Sequence, residues 1–452
     1  MTFPHIVVLI PGITGSVLEK DGKQLWGPSV GTVVGTALSR GGRLDALVLQ
    51  RDSNGEEADD GVVATRLVPD VHIVPGLWKI DGYGKVADRL KRNLKLEPGV
   101  NYFEFPYDWR RDNRVAARAL QRSIADWLRR RRASAPDAGV VIVAHSMGGL
   151  VARYFIEVLG GWQDMHALIT FGTPYRGSLN ALDSLSNGVR KLLGVLDLTE
   201  LSRSFTSIHQ LLPIYPCYVE DGGSAVRLKE AAQVPGVEKA RIAAADEFHR
   251  EIQRAVERNE SVPEYVRARY PIHPVIGLEQ PTLQGARLVA GKVELVRERD
   301  GQDESGDGTV PRVSASPIEA GEESAIFAAT RHASLQNADA VLVHVRGVLT
   351  SPAALGRLMA AAPTTISLDV DDVYLRHEPV SGTVAVSDAG EDVVVEIEDA
   401  AGGGVFATRA LPRSDDPQRS FEFAPLGVGT YRIRVSGDPA RVEPVVDLLV
   451  VA

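Results

Sequence analysis

Val140-Val141-Ile142-Val143-Ala144-His145-Ser146-Met147-Gly148-Gly149-Leu150-Val151-Ala152-Arg153-Tyr154 decides the fold of this chain. Four apolar β-formers run into a serine flanked by small residues, and an apolar helical pattern starts directly behind it. A serine on such a sharp strand-to-helix turn sits in strained backbone with its hydroxyl above the sheet, and the crowding demands small neighbours two before and two after. Ala144 and Gly148 fill those places. Gly149 lets the helix approach the sheet, whose helix N-terminus then faces an oxygen that becomes negative during acyl transfer. The usual G-x-S-x-G has alanine as its first member here, and five residues alone also fit an ordinary serine-bearing turn.

Working outward, residues 1–350 alternate short β-branched runs with amphipathic stretches, the pattern of a parallel sheet covered by helices on both faces. The runs Ile6 to Ile10, Tyr102 to Phe105, Val140 to Ala144, His166 to Phe171 and His273 to Gly277 are predicted strands. Tyr83 to Leu94, Asn113 to Arg131, Leu150 to Leu159 and Leu335 to Leu349 are predicted helices.

 Between Glu19 and Asp81 the glycine and acid clusters, such as Asp52-Ser53-Asn54-Gly55-Glu56-Glu57, mark an irregular insertion. A second insertion, about 178–270, is helical in spacing at Leu182, Leu185, Val189, Leu192 and Leu193; lying between two sheet strands, it is expected to fold over one edge as a cap or lid. After Pro363 the composition changes to short β runs separated by turns, at Thr365 to Val370, Gly382 to Val386, Val393 to Ile397, Val405 to Thr408, Ser420 to Phe423, Thr430 to Val435 and Val445 to Val450. Residues 363–452 therefore read as an accessory β-sandwich.

Composition sets limits on partners. A formal net charge of -9 leaves no basic surplus to displace counterions from a phosphate backbone, so nucleic acid is not expected as a partner. The run Arg129-Arg130-Arg131-Arg132 closes a predicted helix, where it complements the dipole. Cys217 is the single cysteine, which excludes a disulfide within the chain and makes a cysteine metal site implausible. The N-terminal run ends at Pro11-Gly12 without a signal-peptide pattern, and no apolar stretch approaches the roughly 18 residues that span a bilayer. These features predict a cytoplasmic chain with no metal and no cofactor.

A nucleophilic serine needs a base to take its proton and an acid to orient that base. In an α/β-hydrolase both follow the serine, acid first, on loops after later strands. Gly306-Asp307-Gly308-Thr309-Val310-Pro311 offers the acid in a tight loop, although Asp300, Asp303 and Glu304 show that acids are common nearby. His332, just ahead of the last helix of the first domain, is the candidate base. His344 and His273 read as packing residues, His209 and His249 fall in the cap before the acid, and His166 opens a strand. Ile10-Pro11-Gly12-Ile13-Thr14-Gly15-Ser16 turns at the carboxyl end of the first strand, so the Ile13 and Met147 amides are the expected oxyanion donors. A phosphate-binding loop is the competing reading of that turn, but no Gly-Lys-Ser/Thr follows.

These pieces resemble the lecithin:cholesterol acyltransferase family of α/β-hydrolases, with its phospholipid:diacylglycerol acyltransferase and lysosomal phospholipase relatives. The resemblance rests on Val7 to Leu18, Leu25-Trp26, Phe105-Pro106-Tyr107-Asp108-Trp109-Arg110, the Ser146 turn, Phe171-Gly172-Thr173-Pro174-Tyr175-Arg176-Gly177-Ser178, Gly306 to Pro311 and His332. It implies a triad of Ser146, Asp307 and His332, an oxyanion hole at Ile13 and Met147, and support of the substrate cleft by Asp108, Trp109, Arg110 and Tyr175. Asp108 and Arg110 fit equally a buried ion pair that fixes a loop. The implied activity is cleavage of lipid esters through an acyl-enzyme, with transfer to water or an alcohol. A carboxylesterase or amide hydrolase for soluble substrates, and a non-catalytic scaffold whose sandwich recruits partners, are the alternatives. The extracellular members carry disulfides and a secretion signal, and neither pattern is read in this sequence. Val30, Val33, Val34 and Leu38 offer an apolar face for transient membrane contact, or equally for helix packing.

Overall fold

The computed structural model describes residues 3–27, 45–50, 59–74, 78–191, 196–220, 222–268, 270–322, 325–350, 364–400, 404–439 and 441–452. Val30, Val33, Val34, Leu38, the 52–57 acid cluster, Leu192 and Leu193 lie outside the described residues. The apolar run β1 (Ile6–Ile10) pairs in parallel with β2 (Tyr102–Glu104) on one side and β3 (Val140–His145) on the other. Beyond β3 follow β4 (Met165–Phe171), β5 (Ile272–Gly277) and β6 (Ile326–Ala328), giving the order β6-β5-β4-β3-β1-β2 with every neighbour parallel. β1 and β3 are buried along their whole length, as continuous apolar runs in a doubly covered sheet must be.

Alternation along these strands divides the core. Ile6, Val8, Ile10, Val140, Ile142 and Ala144 face one apolar cluster, while Val7, Leu9, Val141 and Val143 face another. The first cluster is closed by α2 (Asn113–Arg132) and by α3 (Gly148–Arg153), the helix launched at Ser146. The second is closed by α1 (Gly84–Leu94), which buries Val86, Ala87, Leu90 and Leu94, and by the last helix before residue 351. Three of the sequence expectations shift. β6 was not foreseen, because three residues are too few to display a period. The elbow helix is α-helical only to Arg153 and then widens into a π turn over Tyr154–Val158, where Glu157 is buried among Arg153, Asn259, Tyr265 and Tyr270. The stretch at His332–Asn337 is a 3-10 turn, and the helix proper is Asp339–Thr350.

The insertion between β4 and β5 divides its work. Leu179–Ser186, Thr199–Ser204 and Thr206–His209 are short helices at the carboxyl end of the sheet: the Ser207 hydroxyl donates to the Trp109 carbonyl and the Ser178 hydroxyl to the Thr309 carbonyl. The long helix Lys239–Glu260 joins the same main core as these short helices. Its stripe of Ile242, Ala245, Phe248, Ile252, Ala255 and Val256 is buried, and Phe248 stacks on Tyr154 with ring centroids 5.7 Å apart. Within the 19–81 region, Ser16–Lys20, Lys23–Trp26 and Val63–Leu67 form an antiparallel sheet.

The β-rich C-terminal part has two sheets among the described residues. One orders Ile366–Val370, Val380–Val386 and Gln418–Phe423; the other orders Val373–Tyr374, Val445–Val451, Gly429–Ser436, Val393–Asp399 and Val405–Leu411. Alternate residues such as Val393, Val395 and Ile397 meet Phe421, Ile433 and Leu449 in one apolar cluster. The protein is thus an α/β-hydrolase fold with a helical cap insertion and a C-terminal β-sandwich.

Candidate active site

Ser146 lies at the end of β3 in left-handed backbone, φ 52°, which costs a non-glycine residue about 1–2 kcal/mol. Its neighbours explain why the turn holds. The Ser146 amide donates to the Phe171 carbonyl at 2.8 Å, and the Thr173 hydroxyl donates to the Ser146 carbonyl at 3.0 Å. Close approach sets the small residues: a Cβ on Gly149 would overlap Thr173, and one on Gly12 would lie 2.9 Å from the Ser146 Cβ. The turn after β1 is therefore pressed against the serine.

The structure brings Ser146, His332 and Asp307 into one hydrogen-bonded series. His332 Nε2 lies 3.0 Å from Ser146 Oγ, and His332 Nδ1 lies 2.7 Å from Asp307 Oδ2. A carboxylate only accepts, so Nδ1 carries the proton and Nε2 is left to accept from the serine. Asp307 is fixed by its other oxygen, which accepts the Thr309 and Val310 amides at 2.9 and 2.7 Å. The two loops are also joined through main chain, the His332 amide donating to the Asp307 carbonyl at 2.8 Å. Gly172, φ 54°, packs against this pair: a Cβ there would come 2.7 Å from Asp307 Oδ2 and 2.8 Å from His332 Nδ1.

Ile13 and Met147 flank Ser146 from the two turns, and neither amide finds an acceptor among the described residues. Trp109 and Arg110 lie deeper. Arg110 is wholly buried, holding Asp108 through Nε and Nη2 at 2.9 and 2.7 Å and Asp60 through Nη1 at 2.8 Å. Burial works to raise the Asp60 carboxyl, and the guanidinium more than reverses this, leaving it below the usual carboxylate range. Trp109 donates to the Ser16 carbonyl at 3.1 Å and meets Trp26 edge to face, while the Tyr107 hydroxyl donates to the Pro11 carbonyl at 3.0 Å. The Tyr-Asp-Trp-Arg block thus braces the turn after β1 from below. Tyr175 is buried, with its hydroxyl 2.9 Å from that of Thr170.

Two residues beside the series had not been singled out. His145 Nε2 is 3.1 Å from the His332 carbonyl and so carries its proton, while Nδ1 is 2.9 Å from the Tyr83 hydroxyl, which itself accepts the Gly12 amide at 2.8 Å. This buried relay ties the turn after β1, the elbow and the main chain of His332 together. Burial, with the neighbouring His332 adding to it, pushes the His145 pKa down to about 3, so the ring stays neutral. The quoted motif displays His145, but Tyr83 is 71 residues from Gly12 and carries no local signal. Beside Asp307 and His332 lies a polar cavity of about 110 Å³, lined by Lys79, Asn180, Thr309, Arg331, Asp372 and Asp447 among others. Among the described residues no group of histidine, cysteine and carboxylate side chains is arranged to hold a metal ion. No described helix is long and apolar enough to cross a membrane.

Residues 58–345 match the family model for lecithin:cholesterol acyltransferase. Over 117 residues the chain is 33% identical to the lysosomal phospholipase A and acyltransferase of Mus musculus, and over 153 residues it is 29% identical to an uncharacterized protein of Saccharomyces cerevisiae. These stretches cover 24% and 33% of this chain, but 27% of the mouse protein and 20% of the yeast protein. A chain in the solved Tle4-Tli4 complex superposes with a TM-score of 0.51 at 16% identity, covering 77% of this chain and 98% of that one, a likeness of fold.

Proposed function

We propose that this chain, which belongs to the lecithin:cholesterol acyltransferase family, is a lipid-ester acyl hydrolase or acyltransferase that works through an acyl-enzyme on Ser146. The observation that carries the proposal is the Ser146–His332–Asp307 series, with Ser146 held in strained backbone at the head of a helix. His332 Nε2 takes the Ser146 hydroxyl proton as Oγ attacks the ester carbonyl carbon. The oxygen that becomes negative is held by the Ile13 and Met147 amides, in a buried setting where such donors count for more than in water. The carbon–oxygen bond to the leaving alcohol breaks, and His332 returns the proton to that alcohol. Water or a second alcohol then repeats the sequence in reverse, with its proton passing through Nε2. Asp307 keeps the imidazole in the required tautomer and supports its positive charge. No cofactor enters these steps.

Lipid esters are the substrates that family membership favours, and the names of the mouse, rat and human relatives carry both phospholipase and acyltransferase. Labelling with a fluorophosphonate tests the nucleophile: the intact protein labels at Ser146, and Ser146→Ala does not. An intact, folded protein that fails to label removes the mechanism and leaves the scaffold reading. A panel of phospholipid, acylglycerol and short-chain esters, assayed with and without an alcohol acceptor, tests the substrate class. Preference for short soluble esters alone would favour the carboxylesterase reading.

A further inference from the structure

We propose that the C-terminal sandwich is a working part of the active site, with Asp447 acting as a positioning residue that holds the His332 loop through Arg331. This rests on the reading of His332 as the general base. Arg331 precedes His332 and reaches away from Ser146 into the sandwich. Its Nη2 donates to Asp447 Oδ2 at 2.5 Å and its Nη1 to the Leu368 carbonyl at 2.9 Å. The same guanidinium lies against the acid loop, where a Cβ on Gly308 would come 3.3 Å from Nη1. One side chain therefore touches the loop of the acid, the loop of the base and two sandwich strands.

Asp447 is built for this task. It is 1% exposed, and its second oxygen accepts Lys79 Nζ at 2.9 Å and the Leu448 amide at 2.8 Å. Lys79 also pairs with Asp372 at 2.7 Å, so two cations and two carboxylates balance where the sandwich meets the hydrolase body. Removing the Asp447 charge leaves the largely buried Arg331 guanidinium without that carboxylate, while Lys79 keeps Asp372. On the far side of His332, Ala333 joins Val71, Leu448 and Val450 in an apolar cluster, and its carbonyl accepts the Asp81 amide at 3.0 Å. Asp81 is in turn held by Arg432 of the sandwich at 2.9 Å. Gln280, after β5, adds a third attachment by donating to the Ile366 carbonyl at 2.8 Å and accepting the Leu368 amide at 3.3 Å. His332 is thus gripped on both sides by sandwich residues, and a general base must keep its distance to the serine to within a fraction of an ångström.

The test uses the full chain. Asp447→Asn keeps shape and removes the charge, and Arg331→Ala removes the tether. In both, kcat and the rate of fluorophosphonate labelling fall by roughly 10- to 100-fold with KM unchanged, because a shift of about 1 Å can cost 10²-fold. Arg331→Lys keeps the charge but loses the planar fork, and restores part of the labelling rate. Arg297→Ala, which removes only an exposed ion pair to Asp369, matches the intact protein. Each variant is checked for a folded state at the assay temperature; if Asp447→Asn does not fold, labelling of Arg331→Lys decides between a slowed and an unaltered rate. Folded tether variants that label at the rate of the intact protein overturn the inference. Variants that label faster overturn it too, since the sandwich would then be a restraint on the site. An intact protein that never labels removes the acyl-enzyme reading itself, a different failure from intact labelling that the tether variants leave unchanged.

Discussion

Tyr83→Phe tests how the turn after β1, the elbow and the base loop are held together. The hydroxyl that it deletes has two buried partners, the Gly12 amide at 2.8 Å and His145 Nδ1 at 2.9 Å. Each buried polar group left without a partner costs about 1–3 kcal/mol, so the variant is destabilised by about 2–6 kcal/mol. For a domain of this size, each kcal/mol lowers Tm by about 2 °C, giving a drop of roughly 4–12 °C. Tryptophan fluorescence is the assay, because Trp26, Trp78, Trp109, Trp127 and Trp162 all precede the sandwich and report unfolding of the hydrolase body alone. Labelling of Ser146 slows as well, by up to about 10²-fold, since Gly12 adjoins the Ile13 amide and His145 supports the His332 carbonyl. A urea midpoint and a labelling rate equal to those of the intact protein would refute the relay.

Other expectations follow from the same geometry. Gly172→Ala places a methyl group 2.7 Å from Asp307 Oδ2 and 2.8 Å from His332 Nδ1, so it parts the pair and cuts labelling of Ser146 by about 10²-fold while far-ultraviolet circular dichroism is retained. Arg110→Met takes the buried guanidinium from Asp108 and Asp60, leaving them only the longer contacts of Arg111 at 3.4 and 3.8 Å, and costs about 3 kcal/mol, read as a lowered urea midpoint. Acid weakens the fold: burial holds His145 to about 3 and His249 to about 4, so below pH 6.5 the unfolded chain binds protons that the native chain refuses. Their contribution is whole above pH 6.5 and falls by up to about 1.4 kcal/mol per pH unit for each histidine as the pH drops toward those values. A urea midpoint that is flat between pH 7 and pH 5 counts against it.

Most of the architecture was legible because its signals are local. β1 and β3 are continuous apolar runs, the sandwich strands alternate between turns, and the serine turn needs small neighbours; each shows within a dozen residues. The order of serine, acid and base along the chain then singled out Asp307 and His332, which the folded chain places in contact. Where the signal is short or spread out, the sequence was silent. β6 has only three residues, and the long helix Lys239–Glu260 shows its apolar stripe without saying that the stripe enters the main core rather than a separate cap. The same holds for the contacts of Tyr83 with Gly12 and of Arg331 with Asp447, separated by 71 and 116 residues.

By itself, then, the sequence determined the strand–serine–helix turn, the family resemblance and the identity of the three residues proposed to do the chemistry, because steric and periodic constraints are written in neighbouring side chains. Only the tertiary structure decided which distant groups meet around those residues: a buried tyrosine–histidine relay, a guanidinium between two carboxylates, and an aspartate supplied by the sandwich. Such partners meet through burial, where an unpaired polar group is costly, and no local pattern records which distant residue will satisfy it.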